Sequence, residues 1–273
     1  MVNREDYLIR KLSSTYIGDD GAVVGNKIYS MDAFFENIHF KREWMSLTQI
    51  ARKAMLINLS DAIAMNANPQ YALVTLSLPL DITNKEIDEI LHSLQQTAKA
   101  FGCEIIGGDT ISGERLDFTI TIISESSNPL TRKGLKDGTL LAYTGHLGES
   151  KRDLNRLFNG EKISKNSRFI EPVLRQEFIR KSRPYLLAGM DISDGLFCDT
   201  NKLLAYNNKG FEPLIEISHE IGSSGEEYEM LIGFDEKNLS KIEKIAHETN
   251  TTITPFAKVI KEKRQYPCTD HHL

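Results

Sequence analysis

The sequence has no long apolar run and no concentration of positive charge. Its 273 residues are 40% hydrophobic and 26% charged, and the formal net charge is −5. No apolar stretch approaches the roughly 20 residues that a membrane-spanning helix needs, so no membrane association is expected. No Lys/Arg-rich tract is present, so no nucleic-acid partner is expected either. The opening MVNREDYLIRKL lacks the apolar core of a secretory signal.

Cysteine is scarce. Cys103, Cys198 and Cys268 are the three in the chain, and no two of them form a CxxC pair. This spacing argues against a zinc site and against a disulfide framework, and it favours a reducing, cytoplasmic location. The sequence also lacks the GxxxxGK[ST] loop and the GxGxxG fingerprint. Any phosphate chemistry must therefore use other groups.

Helix and strand patterns alternate along the chain. An apolar segment predicts a helix over residues 47–66, followed by a partly β-branched, alternating strand over 71–80. Residues 83–102 form the clearest amphipathic helix pattern, because Thr83 and a glutamate three residues later are typical of a capping box. The segment CEIIGGDT predicts a short strand that runs into a glycine turn.

Proline, glycine and charged residues cluster over residues 128–138, which predicts a domain boundary. Helical and strand patterns occur on both sides of it. We therefore predict an α+β fold with two domains, residues 1–133 and 134–273.

Aspartate recurs along the chain, mostly at the end of a predicted strand or at a strand-to-helix turn. The segments IGDDG, SMDAFF, NLSDAIAM, IIGGDT and MDISDG contain Asp20, Asp32, Asp61, Asp109, Asp191 and Asp194. Each aspartate alone is also explained as a turn residue or a helix N-cap, and Asp61 as a satisfied polar residue. Asp61 is nevertheless unusual, because its neighbours are uncharged and a buried carboxylate without partners costs several kcal/mol.

Taken together, these aspartates predict one site. Loops at strand ends are where sites assemble, and converging carboxylates repel one another unless cations lie between them. Ligand sets made only of oxygen suit Mg²⁺ or Mn²⁺, and Mg²⁺ held by carboxylates usually binds substrate phosphates as well. The hypothesis is metal-bridged phosphate chemistry in which a cation compensates Asp61.

Eight motifs in this order resemble one known family: GDDGAV, SMDAFFENIHF, NLSDAIAM, IIGGDT, LTRKGLKDG, TGHLGES, DISDGL and GEEYEML. They are similar to those of the thiamine-monophosphate kinases. That family belongs with aminoimidazole ribonucleotide synthetase, selenophosphate synthetase and the hydrogenase-maturation dehydratase. The resemblance implies an N-terminal α+β domain that contributes to a homodimer, and a C-terminal α/β domain. It also implies several Mg²⁺ ions, ATP as co-substrate, and phosphorylation of thiamine monophosphate to thiamine diphosphate.

The resemblance further implies a role for each matching residue. Metal ligands would be Asp20, Ser30, Asp32, Asp61, Asp109, Asp191 and Asp194. Nucleotide contacts would be Gly107, Gly108, Asp109, Arg132 and Ser193. Contacts to thiamine monophosphate would be His39, Glu226 and Tyr266. Catalysis would depend on Asp61, Asp109 and Arg132, through positioning and charge neutralisation in a direct in-line transfer.

Several of these residues have plainer explanations. Arg132 is also explained as a solvated linker charge, His39 as a packed core residue and Glu226 as a strand-edge charge. Phe40 and Tyr228 are expected in the core rather than at the substrate.

The chain also departs from the family pattern. Met31, Asn66 and Glu227 stand where Thr, Gly and Asp are usual, and the segment before SGEEYE is short. The usual C-terminal Trp and DHF motif is replaced by Tyr266, a candidate stacking ring, and by Asp270-His271.

Two other functions therefore stay open. One is an ATP-dependent synthetase or dehydratase of the same superfamily, although no cysteine precedes Cys103 as selenophosphate synthetase would require. The other is a nucleotide-binding homologue without turnover, which Met31 and Glu227 would favour.

Overall fold

Residues 4–268 are described by the computed structural model, and their ten strands form two five-stranded sheets. The strands of the first sheet are β1 (Ala22–Val24), β2 (Lys27–Phe35), β3 (Asn68–Pro79), β4 (Glu104–Gly113) and β5 (Asp117–Glu125). Those of the second are β6 (Leu140–Thr144), β7 (Leu186–Asp191), β8 (Gly210–Pro213), β9 (Met230–Phe234) and β10 (Ile253–Ile260). The spatial orders are β1-β2-β5-β3-β4 and β7-β9-β6-β10-β8. Only β3 and β4 pair in parallel among these strands. The predicted α+β fold class is confirmed.

The helices are α1 (Arg4–Lys11), α2 (Leu47–Ala64), α3 (Asn84–Ala100), α4 (Glu149–Phe158), α5 (Gln176–Ser182), α6 (Leu196–Tyr206), α7 (His219–Gly222) and α8 (Leu239–Glu248). Short 3₁₀ turns cover Arg183–Tyr185 and Glu236–Asn238. Both α2 and α3 begin at capping boxes, and the box that starts at Thr83 is the predicted one. Within residues 4–268, no helix has both the length and the apolar character that crossing a membrane requires.

Helix α2 is buried on nearly every side and links the two halves of the chain. It packs on β2 and β5 of the first sheet and also contacts β7 and α5. The hydrophobic core formed by α2 and the first sheet, which we call the first core, also includes Phe169 and Tyr228 from the second half of the sequence. The strands of the two sheets fall on either side of residue 133, but these packing contacts cross that point. The exact boundary therefore stays a prediction.

The predicted glycine turn in IIGGDT is wrong, because β4 continues through Gly107 and Gly108. Gly108 has φ +151°, and a Cβ there would lie 1.7 Å from the carbonyl oxygen of Val74. Glycine is therefore needed for close approach of two strands rather than for a turn. Strand β10 was not predicted, since Pro255 interrupts its pattern at a register shift.

Cys198 of α6 and Cys268 form a disulfide, with Cα atoms 5.3 Å apart. The expectation that the cysteines stay unpaired was therefore wrong. The two residues are 70 positions apart and meet only because the C-terminal segment folds back along α6, which local spacing does not reveal. The Asp270-His271 motif lies outside the described residues.

Reducing the Cys198–Cys268 disulfide is expected to lower the free energy of unfolding by about 4 kcal/mol, because the unfolded chain gains the freedom of a long open loop. Urea unfolding with and without dithiothreitol measures this difference. The Cys268→Ser protein is the control, and dithiothreitol should leave its midpoint unchanged. Equal midpoints for oxidised and reduced wild-type protein would contradict a stabilising bond.

Candidate functional site

Four aspartates from separate elements lie together, and we call them the acidic cluster: Asp20, Asp32, Asp61 and Asp191. Burial raises the pKa of Asp61 well above its ordinary value, and the charges of Asp32, Asp191 and Asp20 raise it further. Burial, followed by the charge of Asp20, also raises the pKa of Asp191. The pKa values of Asp61 and Asp191 are therefore both raised by neighbouring carboxylates, as expected for like charges gathered in a poorly solvated site.

Arg132 extends into the acidic cluster. Its Nη2 and Nε atoms donate to Asp20 Oδ1 at 2.6 and 3.1 Å, and its backbone N–H donates to Asp19. Burial lowers the pKa of the Arg132 guanidinium, but the charge and hydrogen bonds of Asp20, with the charges of Asp199 and Asp191, together raise it above its ordinary value. Arg132 is therefore not a solvated linker charge. One arginine against four carboxylates leaves the cluster with an excess of potential negative charge.

Helix α2 supplies polar side chains that hold this region. Ser60 Oγ donates to Asp191 Oδ2 at 2.6 Å, and Asn58 Oδ1 accepts the backbone N–H of Asp32 at 2.8 Å. Lys53 Nζ lies 2.6 Å from Glu226 Oε2. No sequence motif indicated that Lys53, Asn58 and Ser60 would lie at this site. The sequence feature that could have indicated them is the one that singled out Asp61, because each is a polar residue in a helix that is otherwise apolar on all sides.

Tyr228 was expected in the core together with Phe40. It does pack in the first core, as Phe40 does. However, burial raises the pKa of the Tyr228 hydroxyl well above its ordinary value, and the charges of Glu226, Asp32, Asp191 and Asp61 add to the shift. The hydroxyl therefore lies among Glu226 and the acidic cluster.

The chemical groups of the acidic cluster suit a divalent cation. The spacing between these groups suits it less well. The donors of the cluster are all oxygen, one arginine compensates its four carboxylates only in part, and the buried Ser30 Oγ has no hydrogen-bond partner in the described part of the chain. Across residues 4–268, however, no three His, Cys, Asp or Glu side chains converge closely enough to hold an ion by themselves. The predicted metal roles therefore stay predictions.

The loop after β7 connects the cluster to the GEEYE segment. The carbonyl of Ser193 accepts the N–H of Glu226 at 2.7 Å. Asp194 pairs with Lys202, and its N–H donates to Asp199 Oδ2 at 3.0 Å. Burial, followed by the charge of Asp194, raises the pKa of Asp199 to about 7. Asp199, which lies in the first turn of α6, was not singled out from the sequence.

Asp109 does not join the acidic cluster of its own chain. It lies on the edge strand β4, three strands from Asp32 on β2, or about 14 Å at the usual strand spacing. The register aligns Asp109 with Thr75 and Ala33, one residue from Asp32, so the two aspartates face opposite sides of the sheet. The expectation that Asp109, with Gly107 and Gly108, adjoins the other carboxylates is therefore not met within one chain.

His39 contacts the ring of Phe34, and Glu226 is linked to the same ring only through Lys53. His39 Nδ1 accepts the N–H of Phe35 at 2.9 Å, and its ring lies 5.7 Å from that of Phe34. The ammonium of Lys53, which pairs with Glu226, lies 5.6 Å from the Phe34 centroid. The predicted substrate roles of His39 and Glu226 therefore stay predictions.

Tyr266 cannot stack on a ligand in this arrangement. Its ring lies 4.2 Å from both Phe197 and Phe211, and two parallel rings at that distance must occupy its opposite faces. The stacking role expected for Tyr266 is therefore corrected. The residue instead borders a cavity of about 640 Å³ that Arg264 and His219 also line.

Comparison with known proteins gives the same family as the motifs. Residues 18–125 match the AIR synthase related protein, N-terminal domain. A thiamine-monophosphate kinase from Leptospira interrogans is 31% identical over 79% of this chain and 76% of its own length. One from Aquifex aeolicus is 28% identical over 82% of this chain and 77% of its own length. This chain belongs to the thiamine-monophosphate kinase family.

The solved structures share its fold. AaThiL complexed with AMPPCP and TMP has a TM-score of 0.83 at 24% identity, covering 96% of this chain and 90% of that one. A HypE-HypF complex also has a TM-score of 0.80, at 15% identity, over 97% of this chain and 99% of that one. The fold is therefore shared with both AaThiL and the HypE-HypF complex. The sequence relatives, rather than the fold, identify the chain as a kinase of this family.

Three departures from the kinase family pattern have structural explanations. Asn66 has φ +54°, a left-handed conformation that asparagine tolerates better than other residues with a side chain. Glu227 is buried and accepts hydrogen bonds from Ser224 Oγ and from the N–H of Gly148 at the start of α4. Met31 is 62% exposed on the outer face of the first sheet. None of these side chains disrupts the acidic cluster, so they do not favour a homologue without turnover.

Proposed function

We propose that this protein transfers the γ-phosphoryl group of ATP to thiamine monophosphate, giving ADP and thiamine diphosphate. The observation that carries the proposal is the acidic cluster, in which four carboxylates, three of them deeply buried, are opposed by one arginine. The names of the sequence relatives and the AMPPCP and TMP bound in AaThiL support the choice of substrates.

We propose that Asp20, Asp32, Asp61 and Asp191, with Ser30 and the loop of Ser193 and Asp194, would hold Mg²⁺ together with the ATP phosphates. When bound, Mg²⁺ would neutralise charge on the phosphates and orient them for in-line attack. Arg132 supplies a fixed positive charge beside the carboxylates and offsets charge on the transferred group. The acceptor phosphate has a second pKa of about 6, so it is largely a dianion at neutral pH and needs no general base.

We propose a homodimer in which a second copy covers the outer face of the first sheet. Tyr29, Met31, Tyr71 and Leu73 are exposed there, and the register places them in neighbouring rows. An exposed apolar face of this kind marks an interaction surface. We further propose that the partner provides Asp109, with the backbone of Gly107 and Gly108, to the nucleotide bound at the acidic cluster.

For the acceptor, we propose that His39 and Glu226 contact thiamine monophosphate beside Phe34. Tyr266 keeps a proposed role only as a wall of the cavity that Arg264 and His219 also line. We also place the enzyme in the cytoplasm. The Cys198–Cys268 disulfide removes the cysteine argument for that location, and the requirement for ATP is what supports it.

The test is to incubate the protein with Mg²⁺, ATP and thiamine monophosphate and to separate the products by chromatography. We expect thiamine diphosphate and ADP in equal amounts, with no product when either substrate is omitted. ADP release that does not depend on thiamine monophosphate would favour another ATP-dependent superfamily enzyme. Nucleotide binding without any turnover would favour a non-catalytic homologue.

A further inference from the structure

Lys53 is a buried cation whose environment is unusual for a structural residue. Its side chain is fully buried, and its only hydrogen-bond partner among the described residues is Glu226. The ammonium otherwise faces the rings of Phe169 and Phe34, whose centroids lie 3.7 and 5.6 Å away. Burying such a charge costs desolvation energy, and apolar residues often replace buried ion pairs without loss of stability. The requirements of folding alone therefore explain Lys53 poorly.

Glu226, in contrast, is restrained at three points. Its N–H donates to the Ser193 carbonyl, its own carbonyl accepts the Ser150 hydroxyl at 2.9 Å, and Oε2 is bound by Lys53. Its backbone adopts φ +55°, a conformation that costs energy for a residue with a side chain. The side chain is still 27% exposed, and Oε1 has no hydrogen-bond partner in the described part of the molecule. A fixed carboxylate oxygen is thus left available at the edge of the site.

We propose that Lys53 is a positioning residue that fixes the Glu226 carboxylate for the cationic, amine-bearing heterocycle of the acceptor. This inference rests on the proposed function, because it assigns Glu226 to the heterocycle rather than to the phosphate. The chemistry favours that assignment, since a carboxylate repels a phosphate dianion but attracts a thiazolium and accepts a hydrogen bond from an aminopyrimidine. Lys53 bonds only Oε2 of Glu226, so Oε1 remains to face the acceptor.

The test is a double-mutant cycle with Lys53→Met, Glu226→Gln and the double variant. Calorimetry measures the Kd of thiamine monophosphate in the presence of Mg²⁺ and a non-hydrolysable ATP analogue, and separately the Kd of that analogue. Lys53→Met is expected to weaken binding of thiamine monophosphate about ten- to a hundredfold, as for loss of a hydrogen bond to a charged group. It should change the Kd of the analogue less than about twofold. In the Glu226→Gln background, Lys53→Met should have no further effect.

Equal effects of Lys53→Met in both backgrounds, or equal weakening for both ligands, would overturn the inference. Lys85→Met, at an exposed lysine of α3, is the matched control. If Lys53→Met does not fold, Glu226→Gln alone still decides, because unchanged affinity for thiamine monophosphate would also overturn it. Turnover by the wild-type protein tests the proposed function by itself, since these binding measurements do not need phosphoryl transfer.

Discussion

Replacing Asp61 with asparagine is expected to reduce thiamine diphosphate formation about a thousandfold, the range seen when one preorganised electrostatic group is removed from an active site. Asparagine keeps the shape of the side chain but removes the charge that would hold the metal–nucleotide complex. Steady-state assays at saturating ATP, with circular dichroism to confirm the fold, measure the effect. Asp88→Asn, at an exposed aspartate of α3, is the matched control and should keep wild-type activity.

The same substitution should not destabilise the metal-free protein. The folded-state pKa of Asp61 lies well above its ordinary value of 3.8, so the folded chain binds the proton more tightly than the unfolded chain. Asp61 therefore reduces stability as the pH rises above that ordinary value. In the presence of a chelator, the Asp61→Asn protein should be at least as stable as the wild type, and its advantage should grow with pH. Wild-type activity, or a clear loss of stability at pH 8, would contradict the role given to Asp61.

Mixing two inactive variants is expected to restore activity if Asp109 acts across the dimer. Asp109→Asn and Asp61→Asn should each be nearly inactive alone. In a hybrid dimer, the acidic cluster of the first chain meets the intact Asp109 of the second. Random exchange makes half of the dimers hybrid, with one intact site of two, so about a quarter of wild-type activity should return.

The control for this experiment is a mixture of Asp61→Asn with Asp191→Asn. Both changes lie in the acidic cluster of a single chain, so every site in that mixture retains one defect and should stay inactive. If the Asp61→Asn and Asp109→Asn mixture also stays inactive after proven subunit exchange, Asp109 does not act in trans. The position of Asp109 on the far edge of the sheet would then need another explanation.

Local sequence patterns predicted the elements that carry the site. The capping box at Thr83 and the apolar run of 47–66 located α3 and α2 closely, because caps and periodicity are local properties. The ordered aspartate motifs also anticipated that Asp20, Asp32, Asp61 and Asp191 lie together. That prediction came from the motifs taken together rather than from any single residue, and the structure places Asp32 within β2 and Asp61 within α2.

Features that depend on how the elements are arranged in space could not be predicted from local sequence patterns. Asp109 belongs to a similar motif but lies on the edge strand, and strand order is not written in the local sequence. Lys53 and Glu226 are separated by 173 positions, so nothing in either segment signals their pairing. The same applies to Cys198 and Cys268. Tyr266 was assigned by analogy to a stacking ring, whereas two phenylalanines from other elements already cover its faces.

Counting bound Mn²⁺ tests the central claim most directly, namely that the acidic cluster collects divalent cations for nucleotide chemistry. Electron paramagnetic resonance measures free Mn²⁺ in titrations with a non-hydrolysable ATP analogue, using wild-type, Asp61→Asn and Asp88→Asn proteins. We expect the wild type and Asp88→Asn to bind more Mn²⁺ per chain than the analogue alone binds, and Asp61→Asn to lose that excess. The same stoichiometry and affinity in all three proteins would contradict a metal site at the acidic cluster.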